Sequence, residues 1–383
     1  MDESGFPDWE RIQSDFPINK QLIWLNNCGT TPLSVPVRAS VDRWLEAYQN
    51  RGTLAEGFSY VGIKVSIYRR LQKLLSAGPD ELALVHNTAE GMNFISHGLA
   101  LGPGDEILIL ENEYPSNVYP WEHWREKGVN LRAVPMPARP EDLPGAFSAA
   151  IGPRTKVASF SAVHWCTGMP LPLPELGAIC AQRDMVWVVD GSQGVGLVDL
   201  DVKACGIHYM AFSAWKWLLG PVGVGVMYIA RNRLDALHPI FKGTESVPQD
   251  GDYLPYKQAF KPSADRYVVS TGSMTDWVYL DASLAYLEGI GFERVRDRIR
   301  SLASRLSGGL RDAGFSLTAD ASTLTPTGIV VASKPGLDSA GAVKSLKARN
   351  IIAAERLGRI RLAPHIYNSE EQIDTVVEVL RSL

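Results

Sequence analysis

The sequence lacks the features that mark several large protein classes. Cysteine is scarce: four residues in 383, at Cys28, Cys166, Cys180 and Cys205. No two share a CxxC spacing and no histidine cluster adjoins them, so no metal site of the common zinc kind is expected. Sparse, scattered thiols suit a reducing compartment, and a cytoplasmic setting is expected. Positive charge is not in excess, with 38 Lys and Arg against 42 Asp and Glu, both signs interspersed. That excludes the usual electrostatic footprint of a nucleic-acid binder. Apolar runs are short, and none approaches the roughly 18–20 residues of a membrane span. The start, MDESGFPDWE, has none of the basic, apolar and small-residue regions of a signal peptide. No GxGxxG follows the first predicted strand, which weakens a dehydrogenase reading. Internal repeats and low-complexity tracts are also missing.

What is present is an ordinary soluble composition, 45% apolar and 21% charged, in a chain long enough for a large domain and a smaller one. Short Val/Ile/Leu-rich runs predict strands at 81–86, 106–110, 131–135, 155–159, 186–190, 209–213 and 224–229. Amphipathic stretches alternate with them, which predicts an α/β fold: a mostly parallel seven-stranded sheet sandwiched by helices. Helical spacing also covers 36–50, 62–76, 274–288, 291–313 and 370–383. Residues 239–265 are rich in Pro, Gly and Asp without periodicity, and read as a long functional loop. Off the apolar stripe of 291–313 lie Arg294, Arg298, Arg300 and Arg305, read as a solvated face rather than a nucleic-acid surface. The expected division is an N-terminal segment 1–35 near the functional site, a large domain 36–262 and a small α+β domain 263–383.

Three segments carry chemistry. In SAWKWLLG, Lys216 follows a predicted strand and is flanked by Trp215, Trp217 and Leu218. Burial disfavours the ammonium and frees the amine to attack a carbonyl, although a snorkelling surface lysine also fits. The strand MVWVVD ends in Asp190, followed by Gly191, Ser192 and Gln193. Ligands of open α/β sheets sit at such carboxyl ends, where Asp190 is able to keep a pyridine nitrogen protonated. A turn or capping aspartate is the plainer alternative. Asn87, Thr88 and Ala89 follow a strand and open an amphipathic helix, an arrangement that either binds phosphate or is an ordinary N-cap. In this order the three match one design: phosphate cradle, ring-nitrogen carboxylate, Schiff-base lysine.

Seven segments in order resemble the class V aminotransferase family of fold type I enzymes dependent on pyridoxal 5′-phosphate (PLP). They are WLNNCGTTP (24–32), NTAEG (87–91), PGDE (103–106), VDGSQ (189–193), SAWK (213–216), STG (270–272) and IRLAPHIYNS (360–369). The resemblance implies PLP as cofactor, held by Lys216 as a Schiff base. It implies Asp190 at the pyridine nitrogen and Gln193 at the phenolic oxygen. Thr88, the Ala89 amide and Ser213 would hold the phosphate, with Thr271 from the neighbouring chain of a homodimer. Tyr114 would stack on the ring and act with Lys216 and Asp190 in catalysis. Arg361 would bind the carboxylate of an amino-acid substrate, and Asn27 and Trp165 would also contact it.

Departures from the family pattern limit the reaction. Cysteine desulfurases carry a persulfide-forming cysteine shortly before the C-terminal arginine; here residues 350–358 read NIIAAERLG. Many desulfurases stack a histidine where this chain has Tyr114, and carry a histidine before the lysine where it has Trp215. HWCTG (164–168) stands where many relatives have an asparagine-containing turn, a pattern nearer the epimerase-like and lyase members. Trp121 and Trp124 join Trp165 as candidate pocket walls, with core packing preferred for Trp124, and His164 is either catalytic or structural. The resemblance thus implies reaction through an external aldimine and a Cα carbanion, with side-chain elimination or replacement without a persulfide as first expectation. Transamination to a 2-oxo acid and epimerisation are the alternatives. A catalytically silent subunit of the same fold is the alternative of another class.

Overall fold

The structure is a computed structural model and describes residues 7–248, 251, 253–318 and 327–383. Seven strands form the main sheet: β1 (Leu82–Val85), β2 (Glu106–Leu110), β3 (Asn130–Val134), β4 (Thr155–Ser161), β5 (Val186–Asp190), β6 (Tyr209–Ser213) and β7 (Gly225–Ile229). Their spatial order is β1-β7-β6-β5-β4-β2-β3. β7 runs antiparallel to both neighbours and every other pairing is parallel.

Both faces of the sheet are covered, which is why its strands read as continuous apolar runs. The two-residue period divides them cleanly. Leu108, Leu110, Trp187, Val189, Met210 and Phe212 enter one core cluster. Ile107, Ile109, Val188, Tyr209 and Ala211 enter the cluster on the opposite face. Helices Tyr60–Leu75 and Met274–Ile290 supply Ile67, Leu71, Leu280 and Leu284 to the first cluster. Helix Thr88–Gly98 covers the other face through Met92 and Ile95. It approaches very closely at Gly91, where an added Cβ would lie 2.7 Å from the Ala211 Cβ. This glycine lets the helix N-terminus settle beside the ends of β1 and β6.

A second, antiparallel sheet pairs Ala354–Arg356, Arg359–Leu362, Val330–Ser333 and Ser316–Leu317 in that order. Alternation again sorts its faces. Val330, Ala332, Ile360 and Leu362 join a third core cluster, whereas Val331 packs with the first. The long helix Phe292–Asp312 serves two cores, giving Val295 and Ile299 to the first and Leu302, Leu306 and Leu310 to the third. Residues Ile23–Trp24 pair in parallel with Ile351–Ile352, tying the N-terminal segment to the C-terminal one.

Arg294 and Arg305 of that helix are exposed and Arg300 partly so, the solvated face that was expected, but Arg298 departs from it. Arg298 is buried, donates to both carboxylate oxygens of Glu370 and to the Asn368 carbonyl, and lies over the Trp9 ring. Arg305 pairs with Asp374. Both partners belong to helix Glu370–Arg381, which the arginines staple to the body. No helix among the described residues is long and apolar enough to cross a membrane.

Candidate active site

The carboxyl ends of the parallel strands converge on a cavity of about 390 Å³. Thr88, Ala89, Tyr114, Trp165, Gln193, Ser213, Lys216 and Arg361 line it, as do Cys28, Ser192 and Arg356. Eight of the eleven residues expected at the site therefore meet in one place. Asp190 lies buried at the end of β5 beside Ser192 and in electrostatic reach of Lys216.

One end of the cavity is a ring of donors. The Thr88 hydroxyl pairs with those of Ser192 and Ser213, each at 2.6 Å. The Asn87 side chain caps the helix by accepting from the Glu90 amide at 2.9 Å. The Ala89 amide has no hydrogen-bond partner among the described residues. A helix N-terminus with three clustered hydroxyls and no lining carboxylate suits a phosphate. Ser192 was not foreseen, although its place two residues after Asp190 in the same turn is a readable signal.

Lys216 sits on a tight loop leaving β6, closed by the Leu219 amide donating to its carbonyl. It is 8% exposed, and its pKa is lowered by burial, with the Asp190 carboxylate opposing. Burial raises the pKa of Asp190, while Lys216 and the Ser192 amide, donating at 2.8 Å, pull it back. The two groups thus hold each other in a dry setting that penalises either charge alone. The Lys216 ammonium is 5.6 Å from the centroid of the Tyr114 ring. That ring meets Trp165 edge-on at 5.4 Å, and the Trp165 indole donates to the Asn112 carbonyl.

Gln193 is oriented by two neighbours. Its Nε2 donates to the Cys28 carbonyl at 3.0 Å and its Oε1 accepts from the Trp217 indole at 2.9 Å. Indole only donates, so the amide cannot be reversed without losing that bond, and one N–H remains unused. Arg361 is buried; its Nη1 donates to the Trp165 carbonyl at 2.9 Å, while its Nε has no partner. A buried guanidinium with an unsatisfied edge suits a carboxylate.

Other expectations are revised. Asn27 does not line the cavity. It is fully buried, its Nδ2 donating to the Ala363 carbonyl and its Oδ1 accepting from the Tyr367 hydroxyl, so both ends of the amide are taken. Trp121 and Trp124 belong to the second core cluster. His164 is buried outside the cavity lining, bonds Thr167, and has its pKa lowered by burial. Thr271 lines a different cavity, of about 380 Å³, with Ser270 and Trp277. An unforeseen carboxyl is Glu113, which is buried. It accepts from the Ser161 amide at 2.6 Å and from the Tyr114 amide at 3.2 Å, and also bonds the Ser161 hydroxyl. Ser161 stands directly opposite Asp190 in the sheet. Burial raises the Glu113 pKa to about 7, with Asp190 adding to the rise.

A buried lysine, a buried aspartate facing it, a phosphate-suited helix N-terminus and this strand order define a PLP-dependent enzyme of fold type I. The aminotransferase class-V family model matches residues 23–376, so the chain belongs to that family. It is 32% identical over 336 residues to isopenicillin N epimerase of Amycolatopsis lactamdurans, covering 82% of this chain and 83% of that protein. A probable cysteine desulfurase of Methanothermobacter thermautotrophicus is 25% identical, with 98% of both chains covered. The fold is shared with the cystine C–S lyase C-DES, solved with its product cysteine persulfide, at TM-score 0.88 and 23% identity over 96% of this chain and 99% of that one.

Proposed function

We propose that this enzyme breaks or replaces a bond in the side chain of an α-amino acid, as a C–S lyase does, without an enzyme-bound persulfide. PLP, when bound, withdraws electrons from the bonds at the substrate Cα. Thr88, Ser192, Ser213 and the Ala89 amide would hold its phosphate, and Asp190 would hold its ring nitrogen. The free Gln193 N–H would meet its phenolic oxygen, and Lys216 would hold its aldehyde carbon. Arg361 takes the substrate carboxylate through its unsatisfied edge, which orients the Cα–H bond toward Lys216. The Lys216 amine, whose pKa burial lowers, would then move the Cα proton. Tyr114, on the same cavity, hands a proton to the departing atom.

The observation that carries this reading is the set of proton-moving groups on the cavity. Among the described residues no histidine lines it, and Lys216, Tyr114 and Cys28 are its side-chain hydrogen donors of acid–base type besides the arginines. Cys28 is buried with its thiol pKa raised, a poor setting for a thiolate relay. The hairpin before Arg361 holds no cysteine. We also propose a homodimer in which the partner's Thr271 completes the phosphate site, since Thr271 lies on another cavity of its own chain.

Incubation of the PLP-loaded enzyme with S-substituted cysteines tests the reaction. Release of thiol, ammonia and pyruvate is expected. A 2-oxo acid that retains the side chain, with pyridoxamine phosphate, would overturn it in favour of transamination. Epimerisation is a second reading, favoured by the 32% identity to an epimerase. It predicts inverted amino acid carrying solvent deuterium at Cα, with nothing released.

A further inference from the structure

The cavity holds more positive charge than the proposed chemistry uses. Arg356 lines it beside Arg361 and Lys216, and among the described residues no aspartate or glutamate does. Arg356 ends the first strand of the hairpin formed by Ala354–Arg356 and Arg359–Leu362. The turn residues Leu357 and Gly358 have φ of 52° and 74°. Ala354 stands opposite Arg361, and Arg356 opposite Arg359. Opposed residues of an antiparallel pair project from one face, as do residues two apart on a strand. Arg356 is therefore a diagonal neighbour of Arg361 on the cavity face, about 7–8 Å away along the hairpin. Ala354, on the same face, carries only a methyl group and leaves the space between them open.

Arg359 shares that face, but its Nη1 donates to the Thr318 hydroxyl at 3.1 Å. Arg356 makes one hydrogen bond, from Nη1 to the carbonyl of the adjacent Glu355 at 2.6 Å. The Glu355 carboxylate is turned to the Gly358 amide, also at 2.6 Å. Among the described residues no carboxylate lies within ion-pair reach of Arg356. An exposed guanidinium with a free edge on an acid-free cavity is a site for a planar anion.

We propose that Arg356 is a second carboxylate site, and that the substrate is an α-amino acid bearing a carboxylate on its side chain. The inference rests on the reading that Arg361 holds the α-carboxylate. With both ends held by arginines, the side chain is stretched across the cavity and its reacting bond is fixed relative to Lys216 and Tyr114.

The test is a titration of PLP-loaded enzyme, following the absorbance of the bound cofactor, with L-glutamate against L-glutamine and L-2-aminoadipate against L-norleucine. Each acid is expected to bind on the order of tenfold more tightly than its neutral counterpart. Arg356→Gln is expected to bring that ratio close to one, and Arg356→Lys to retain part of it. Because the readout is a ratio, general damage to the site cancels. Equal affinities in the native enzyme, or a ratio unchanged in Arg356→Gln, would overturn the proposal while leaving the amino-acid reading intact. Failure of every amino acid to perturb the cofactor would overturn both.

Discussion

Glu113 offers the sharpest physical prediction, because its chemistry depends on burial behind the site. Its pKa is raised from 4.5 to about 7, which corresponds to about 3 kcal/mol against the ionised form at roughly 1.4 kcal/mol per pKa unit. The unfolded chain ionises this carboxyl near 4.5, whereas the folded protein keeps it protonated until about 7. Between those values the native state binds the extra proton, so its stability falls as pH rises. The full contribution is present below 4.5 and is gone above about 7. Glu113→Gln removes the titration and retains an oxygen that accepts from the Ser161 amide. Infrared difference spectra between the two proteins should contain a protonated-carboxyl band whose half-loss lies near pH 7. Denaturation of both across pH 5 to 8 should show the native protein losing up to about 3 kcal/mol relative to the variant. A band already lost by pH 5, or parallel stability profiles, would refute the reasoning.

Two substitutions probe the groups that the proposed chemistry needs most. Arg361→Ala should weaken the binding of amino-acid substrate by about 2–3 kcal/mol, measured as KM, while cofactor affinity changes little; equal loss of both would make Arg361 structural. Asp190→Asn retains an oxygen able to accept from the Ser192 amide but loses the charge. Turnover should fall on the order of 10²–10³-fold with the fold intact by circular dichroism, and unchanged turnover would remove Asp190 from the chemistry.

Much of this was legible in the sequence because local signals carried it. The buried strands announce themselves as apolar runs that end in Gly, Ser or Asp, and the site residues sit at those ends. β2, β5 and β6 lie where the runs place them. What was not legible depends on partners distant in sequence. The periodicity of residues 291–313 sets Arg298 off the apolar stripe, yet Glu370 and Asn368 draw it inside. Asn27 looks like a substrate contact until Ala363 and Tyr367 occupy its amide. Arg356 becomes a cavity residue only through the register of a hairpin, and Glu113 becomes a buried acid only through Ser161 on another strand.

The central claim is that Lys216 is the residue to which the cofactor is joined. Reduction of the PLP-loaded protein with borohydride, digestion and mass spectrometry tests it directly. A pyridoxyl phosphate mass is expected on the peptide containing Lys216, with loss of both the label and the visible absorbance in Lys216→Ala. A label on another lysine, or a colourless protein that takes up no PLP, would contradict it.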